Sequence, residues 1–271
     1  MRYRKGSIAL STTRDCPLLR QALDSGLVSH SQLFEFLKLD YCASSRNAFN
    51  NRVLRLVKHG LLIRHELPST HHESIYSISA AGTQRLVSTG EYCLGRGEAG
   101  GLRNRCPGIA HSLELNEIHL ALKRSGSLIS WMPEPAIRSR VDLGNNGYCK
   151  YYDAIVAVRL MGHDFKFALE LERTPKAARH YSAIRERLDL ESAIGHFLYL
   201  APNYDLLDFV ADKLRGCSRA IYFGLLRDFL EQTLSLSVRQ NGSPVSITLT
   251  TALSQGKAFP RAGNLFSDIA V

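Results

Sequence analysis

The sequence predicts a mixed α/β chain in two parts, and three observations carry that expectation. Residues 14–90 hold three short helical patterns, then two strand-like runs around a polar loop, then a fourth helical pattern. Residues 91–108 are rich in Gly and Arg and read as a linker. From residue 109 onward, helical patterns alternate with β-rich runs, two of them nearly apolar throughout. The expected organisation is a first domain over 1–90, the linker over 91–108, a second domain over 109–253 and a tail without periodicity over 254–271.

Length and composition bound the function. At 271 residues and 45% hydrophobic content the chain can bury two modest cores. No apolar run approaches a membrane span, and the basic N-terminus has no signal-type apolar stretch after it, so a cytoplasmic protein without membrane insertion is expected. The six cysteines form no Cys-x-x-Cys pair, which argues against zinc ribbons and a disulfide framework. His71-His72 is read as an exposed loop. A net charge of +9 suits a polyanionic partner, and with no separate basic amphipathic helix at either end, nucleic acid is preferred over an anionic membrane.

In the first part, Leu18, Leu19, Ala22 and Leu23 form a helical stripe closed by Gly26. Ser29-His-Ser-Gln32 has the Ser-x-x-Gln form of a capping box and opens a helix carrying Leu33, Phe36 and Leu37. A third helix is expected from Ser45 to His59, stopped by Gly60. Phe49, Val53, Leu56 and Val57 share one side of it; Asn47, Asn51, Arg55 and Lys58 lie opposite, flanked by Arg46 and Arg52. Leu61–Leu67 and Ser74–Ser79 then read as two strands of a wing, followed by a closing helix from Ala80. Helices followed by such a hairpin make a winged helix-turn-helix, whose third helix enters the major groove. There Asn reads adenine and Arg reads guanine, while Lys58, Arg64 and His65 suit phosphates. Double-stranded DNA is the expected partner.

The second part centres on residues 151–172. Asp153–Leu160 and Phe165–Glu172 are β-rich runs separated by Met-Gly-His-Asp, read as a hairpin loop. Period two puts Phe165, Phe167, Leu169 and Leu171 on one face and Glu170 and Glu172 on the other, with Asp153 brought beside them by antiparallel pairing. Three carboxylates at one end of a hairpin call for neutralisation, and Mg²⁺ or Mn²⁺ needs only one or two of them plus water. The competing reading is a solvated acidic face with Arg173 and nearby lysines as partners. A helix over 109–125 precedes the hairpin, and Leu128–Met132 is a strand ended by Pro133 and Pro135. Thr174-Pro175 reads as the N-cap and first residue of a helix to about Glu191. Buried strands are expected at 197–201 and 220–226, a helix at 203–215 and a terminal hairpin around Asn241-Gly242, its second strand over 245–250.

The order helix, three strands, helix, strand, with acids at the ends of strands two and three, resembles the restriction-endonuclease-like PD-(D/E)xK fold. Asp153 matches its Asp and Glu170 its Glu, while Glu172 stands where that family has Lys. Across nearly the whole chain, Gly60-Leu-Leu-Ile-Arg64, Tyr76-Ser-Ile-Ser-Ala-Ala-Gly82, His111-Ser-Leu-Glu-Leu-Asn116, Trp131, Tyr152-Asp-Ala154 and Ala168-Leu-Glu-Leu-Glu-Arg-Thr174 resemble the plasmid replication-relaxation family, including MobC-type mobilisation relaxases. That resemblance implies a winged helix joined to a nuclease-like domain. It implies binding to a plasmid or mobile-element origin, with a homodimer or a mobilisation accessory protein as further partners, and metal-dependent nicking of one strand. Asp153, Glu170 and Glu172 would hold the metal. Lys176 is the preferred substitute for the missing lysine, because Arg173 points to the other strand face and Lys166 is roughly 13 Å along the strand. His111 and Asn116 are expected on the helix beside that site, and His111 is grouped with its catalytic residues. A tyrosine nucleophile at Tyr151 or Tyr152 ranks below water. The alternative is a non-catalytic DNA-binding regulator or accessory factor with a degenerate nuclease domain.

Overall fold

The structure is a computed structural model that describes residues 9–41, 45–65, 73–90, 108–142 and 148–255. Residues 91–107 of the expected linker over 91–108, the loop at 66–72 with His71-His72, and residues 256–271 of the expected tail over 254–271 lie outside the described residues. The chain divides into two compact units, Met1–Leu120 and Ala121–Val271.

In the first unit, α1 (Cys16–Ser25) ends at Gly26, whose φ of 72° lies in the region that favours glycine. β1 (Val28–Ser29) leads into α2 (His30–Tyr41). The capping box forms as the spacing predicts: Gln32 N donates to Ser29 Oγ and Ser29 N to Gln32 Oε1, both at 3.2 Å. α3 (Arg46–Lys58) buries Phe49, Val53 and Leu56 and stops before Gly60, at φ 67°. β2 (Leu62–His65) and β3 (Ile75–Ile78) pair antiparallel, and β1 joins the other side of β3, giving the order β1-β3-β2. α4 (Ala80–Ser88) is capped by Ser79 Oγ, which accepts from Gly82 N at 2.9 Å. A Cβ on Gly82 would stand 2.2 Å from the Leu61 carbonyl oxygen, so only glycine lets α4 close onto the start of the hairpin.

α5 (Gly108–Arg124) belongs to this unit as far as Leu120. Asn116 Nδ2 donates to Leu27 O (2.8 Å) and Gln32 Oε1 (3.2 Å), while Gln32 Nε2 donates to Leu113 O (2.9 Å) and Glu117 Oε1 (2.7 Å). His119 packs its ring against Phe36, and Leu120 joins the core of Leu18, Leu19, Leu33, Phe36 and Phe49. The helix expected beside the acidic hairpin is thus, for most of its length, part of the first unit's core.

The second unit is built on a mixed seven-stranded sheet. Its strands are β4 (Leu128–Pro133), β5 (Ala154–Leu160), β6 (His163–Leu171), β7 (His196–Ala201), β8 (Ala220–Leu225), β9 (Ser237–Gln240) and β10 (Ser246–Thr248), in the order β10-β9-β8-β7-β6-β5-β4. β4, β5 and β6 are antiparallel neighbours; β6, β7 and β8 are parallel; β9 and β10 continue antiparallel from β8. The parallel crossovers are α7 (Ala178–Leu190) and α8 (Tyr204–Lys213), as parallel pairing requires. Tyr181 and Leu188 of α7, Leu206, Leu207 and Val210 of α8, and Ile137 of α6 (Glu134–Asp142) share one core with Ala168, Phe197, Tyr199 and Phe223 of the sheet.

Five features differ from expectation. The hairpin loop is two residues, Met161-Gly162, with φ of 49° and 80°, because His163 and Asp164 keep pairing with Leu160 and Arg159. α7 begins at Ala178 rather than at Pro175; Lys176 N donates to the Tyr181 hydroxyl at 3.2 Å instead of entering a helix. α6 follows β4 directly, with Pro135 in its first turn, where the missing N–H costs nothing. The segment expected as a strand to 250 turns helical at α10 (Leu249–Ser254), capped by Thr248 Oγ1 accepting from Thr251 N, and α9 (Leu226–Gln232) was not foreseen.

Candidate functional site

The Met161-Gly162 turn sets the register of β5 against β6, from Leu160↔His163 to Ala154↔Leu169. One further step along this register brings Asp153 opposite Glu170. Asp153 is held there at both ends: Glu134 N donates to its carbonyl (3.2 Å) and Leu171 N to its Oδ2 (2.8 Å). On the other side of β6, Glu170 pairs with Tyr199 and the ladder continues through Glu172 N to Leu200 O at 2.9 Å. Strand parity puts Glu170 and Glu172 on the face of Ala168, which carries the helix-covered core. They are 5% and 3% exposed. The acidic face is therefore buried, not solvated.

Each glutamate meets one lysine. Lys150 Nζ donates to Glu170 Oε1, and Lys176 Nζ donates to Glu172 Oε1. Burial pushes the Glu170 carboxyl up to about 7, with Asp153 adding to the rise against the pull of Lys150 and Lys176. Burial draws the Lys176 ammonium down, but Glu172 and Glu170 outweigh it and leave it above its ordinary value. Tyr199 lies beside the pair with its hydroxyl buried and without a hydrogen-bond partner; burial, then Glu170 and Glu172, hold it well above the usual phenol range. The segment carrying Lys150 is pinned by Glu191, which is fully buried and accepts from Tyr152 Oη, Cys149 N and Ala193 N, each at 2.9 Å. Burial and Glu191 raise Tyr152.

The register sets Asp153 opposite Glu170, whose carboxyl feels its charge; Glu172 lies two residues on, and Lys176 reaches Glu172 from the segment before α7. His111 does not share this unit; it lies on the part of α5 that belongs to the first. Lys166 donates to Tyr148 Oη at 2.9 Å. Sequence reasoning missed Lys150, Tyr199 and Glu191. Lys150 precedes Asp153 by three residues and its reach to Glu170 has no local periodicity to announce it; Tyr199 sits in an apolar run whose one hydroxyl was its only mark. Among the described residues no group of three or more His, Cys, Asp or Glu side chains is gathered to hold a metal ion. The donor set nevertheless fits a hard divalent cation in kind: all three acids offer carboxylate oxygen, and one of them is buried at a cost that a nearby positive charge relieves.

On α3, Arg46, Asn47, Asn51, Arg55 and Lys58 are exposed and Arg52 is half-buried. The helix carries no acid, but α1 supplies one. Asp15 is fully buried, accepts from Arg55 Nη2 (2.7 Å) and Ser11 N (2.8 Å), and stands 3.6 Å from Arg52 Nη1. Arg46 stacks over Phe34 at 4.6 Å from the ring centre. Arg64 is exposed on β2, whereas His65 is half-buried and bonds Ser77 Oγ (2.7 Å), and burial lowers its pKa.

No family model, no curated protein and no solved structure matches the chain. Among the described residues no helix is long and apolar enough to cross a membrane.

Proposed function

We propose that this is a cytoplasmic DNA-binding protein that reads an origin-type duplex site through α3 and nicks one strand at Asp153, Glu170 and Glu172 with Mg²⁺ or Mn²⁺. In this reading the first unit is a winged helix, with β2 and β3 as the wing. The second unit is a restriction-endonuclease-like domain, its β4-β5-β6 meander joined to a parallel β7. The observation that carries the reading is the β5–β6 register, which ends at Ala154↔Leu169 and, continued by one residue, sets Asp153 opposite Glu170, with Glu172 two residues further on the same face. The resemblance to the replication-relaxation family points the same way.

Asp153, Glu170 and Glu172 would hold the cation, which supplies neutralising charge for the scissile phosphate and activates water. The chain's own part is positioning. Leu171 N fixes Asp153, Glu191 fixes the segment that carries Lys150, and Lys150 and Lys176 place two positive charges at the edge of the acids. Lys176 is 41% exposed and stands where a phosphate can reach it.

The Glu170–Lys150 and Glu172–Lys176 pairs also favour a second reading, because they neutralise the acids without a cation. That reading is a DNA-binding regulator whose second unit has lost its chemistry. The two separate on incubation of the protein with supercoiled plasmid carrying its own origin region. Open circle that forms with Mg²⁺ or Mn²⁺ and vanishes with chelator supports nicking; origin binding without open circle supports the regulator.

A further inference from the structure

The segment from Arg173 to Arg187 carries five Lys and Arg residues against one acid, Glu186. Lys176, Arg179 and Arg187 are exposed. Arg179 and Arg187 stand eight residues apart with Ala183 between, along one i, i+4, i+8 ridge of α7, about 12 Å from end to end. Before it, Lys176 bonds Glu172 of the acidic cluster. The far end of the ridge lies toward Tyr151, the residue two before Asp153, whose phenol feels the charge of Arg187 weakly beside its bond to Asp142. Tyr151 is itself 38% exposed, donates to Asp142 Oδ1 at 2.9 Å, and has the Arg138 guanidinium 4.8 Å from its ring centre.

We propose that this band, from Lys176 along Arg179 and Arg187 to Arg138 and Tyr151, is a second nucleic-acid surface that grips the sugar-phosphate backbone beside the carboxylate cluster. The inference deepens the DNA-binding reading and rests on it. Charge complementarity selects the partner: the exposed ridge of α7 presents two arginines with only Ala183 between them, and beyond it stands one planar aromatic, Tyr151, with Arg138 of α6 stacked on it, a combination suited to nucleic acid. A lipid-binding face would need apolar side chains interleaved with the cations. On α7 the exposed large apolar residue is Leu190, at the helix end. Contacts of this kind carry no base sequence; they hold the strand while α3 selects the site.

The test uses the full chain in four forms: wild type, the Asn51→Ala/Arg55→Ala/Lys58→Ala variant of α3, the Arg179→Glu/Arg187→Glu variant of α7, and both sets combined. The probes are a 20-base-pair duplex of arbitrary sequence, titrated at several salt concentrations, and phosphatidylserine vesicles. The α3 variant is expected to keep measurable duplex binding, and the combined variant to lose at least ten-fold of what remains. In the wild-type background the α7 reversal should flatten the slope of log affinity against log salt by about two. Arg179→Gln/Arg187→Gln should have a smaller effect in the same direction, and thermal melting of each variant shows whether it is folded. Wild-type binding that disappears in the α3 variant overturns this surface and leaves the first-unit reading standing. Residual binding unchanged by the reversal, or vesicle binding that the reversal removes while duplex binding is untouched, also overturns it. Absence of DNA binding by wild type overturns both.

Discussion

Lys150 donates a hydrogen bond to Glu170 where both side chains are nearly withdrawn from water, 11% and 6% exposed. A buried pair of this kind is not proof of stability, since two desolvation costs stand against one attraction. Its removal is informative. Lys150→Met leaves Glu170 in apolar surroundings without its cation, and the carboxyl then takes up a proton. The variant should lose roughly 3 kcal/mol at pH 8, where wild-type Glu170 is ionised, and less than about 1 kcal/mol at pH 5, where it is not. Denaturant unfolding at the two pH values checks this; equal losses at both contradict it.

Glu170 also predicts a pH dependence of the wild type. Its carboxyl is pushed up to about 7 by burial, above its ordinary value of 4.5. A group raised on folding contributes stability that is fully present below its unfolded pKa and lost as pH rises through its folded one. The unfolding free energy should therefore fall between about pH 4.5 and 7 by an increment that Glu170→Gln lacks. The difference between wild type and the Gln variant, followed across that window, isolates this group. Parallel curves would mean that Glu170 does not titrate there.

For α3 the predictions separate affinity from sequence preference. Lys58→Ala should weaken binding alike on all duplexes and reduce the salt slope by about one, as loss of a phosphate contact does. Asn51→Ala should instead relax preference at one position, with a cost of about 1–3 kcal/mol on the best site and little on others. Fluorescence anisotropy on a panel of duplexes distinguishes these outcomes. Unchanged affinity and preference in the Asn51, Arg55 and Lys58 triple alanine variant would remove α3 from the interface.

What could be read from the sequence was local and periodic. The capping box at Ser29 and Gln32, the stop of α3 before Gly60, and the parity of Glu170 and Glu172 follow from spacing of one to four residues. The bidentate Arg159–Asp164 pair (2.7 and 3.1 Å) joins β5 to β6 beside the turn, a cross-strand contact that makes Asp164 a strand residue and that local spacing in Met-Gly-His-Asp does not announce. Contacts between distant segments were not legible. No periodicity announces that Asp15 closes on Arg55, that Lys150 reaches Glu170, or that Asn116 ties α5 to Leu27. The prolines at 133 and 135 were read only as breakers, although Pro is equally at home in the first turn of a helix such as α6.

The central claim is that Asp153 and Glu170 perform chemistry for which the first unit is not needed. It is tested most directly by comparing wild type with Asp153→Ala for conversion of supercoiled origin plasmid to open circle in Mn²⁺, with origin affinity measured on the same preparations. Wild type should nick in a chelator-sensitive manner; Asp153→Ala, and separately Glu170→Ala, should lower the rate by about 100-fold or more while origin affinity is unchanged. Wild type that yields no open circle, or an Asp153→Ala variant that nicks as fast as wild type, contradicts the account and leaves the regulator in its place.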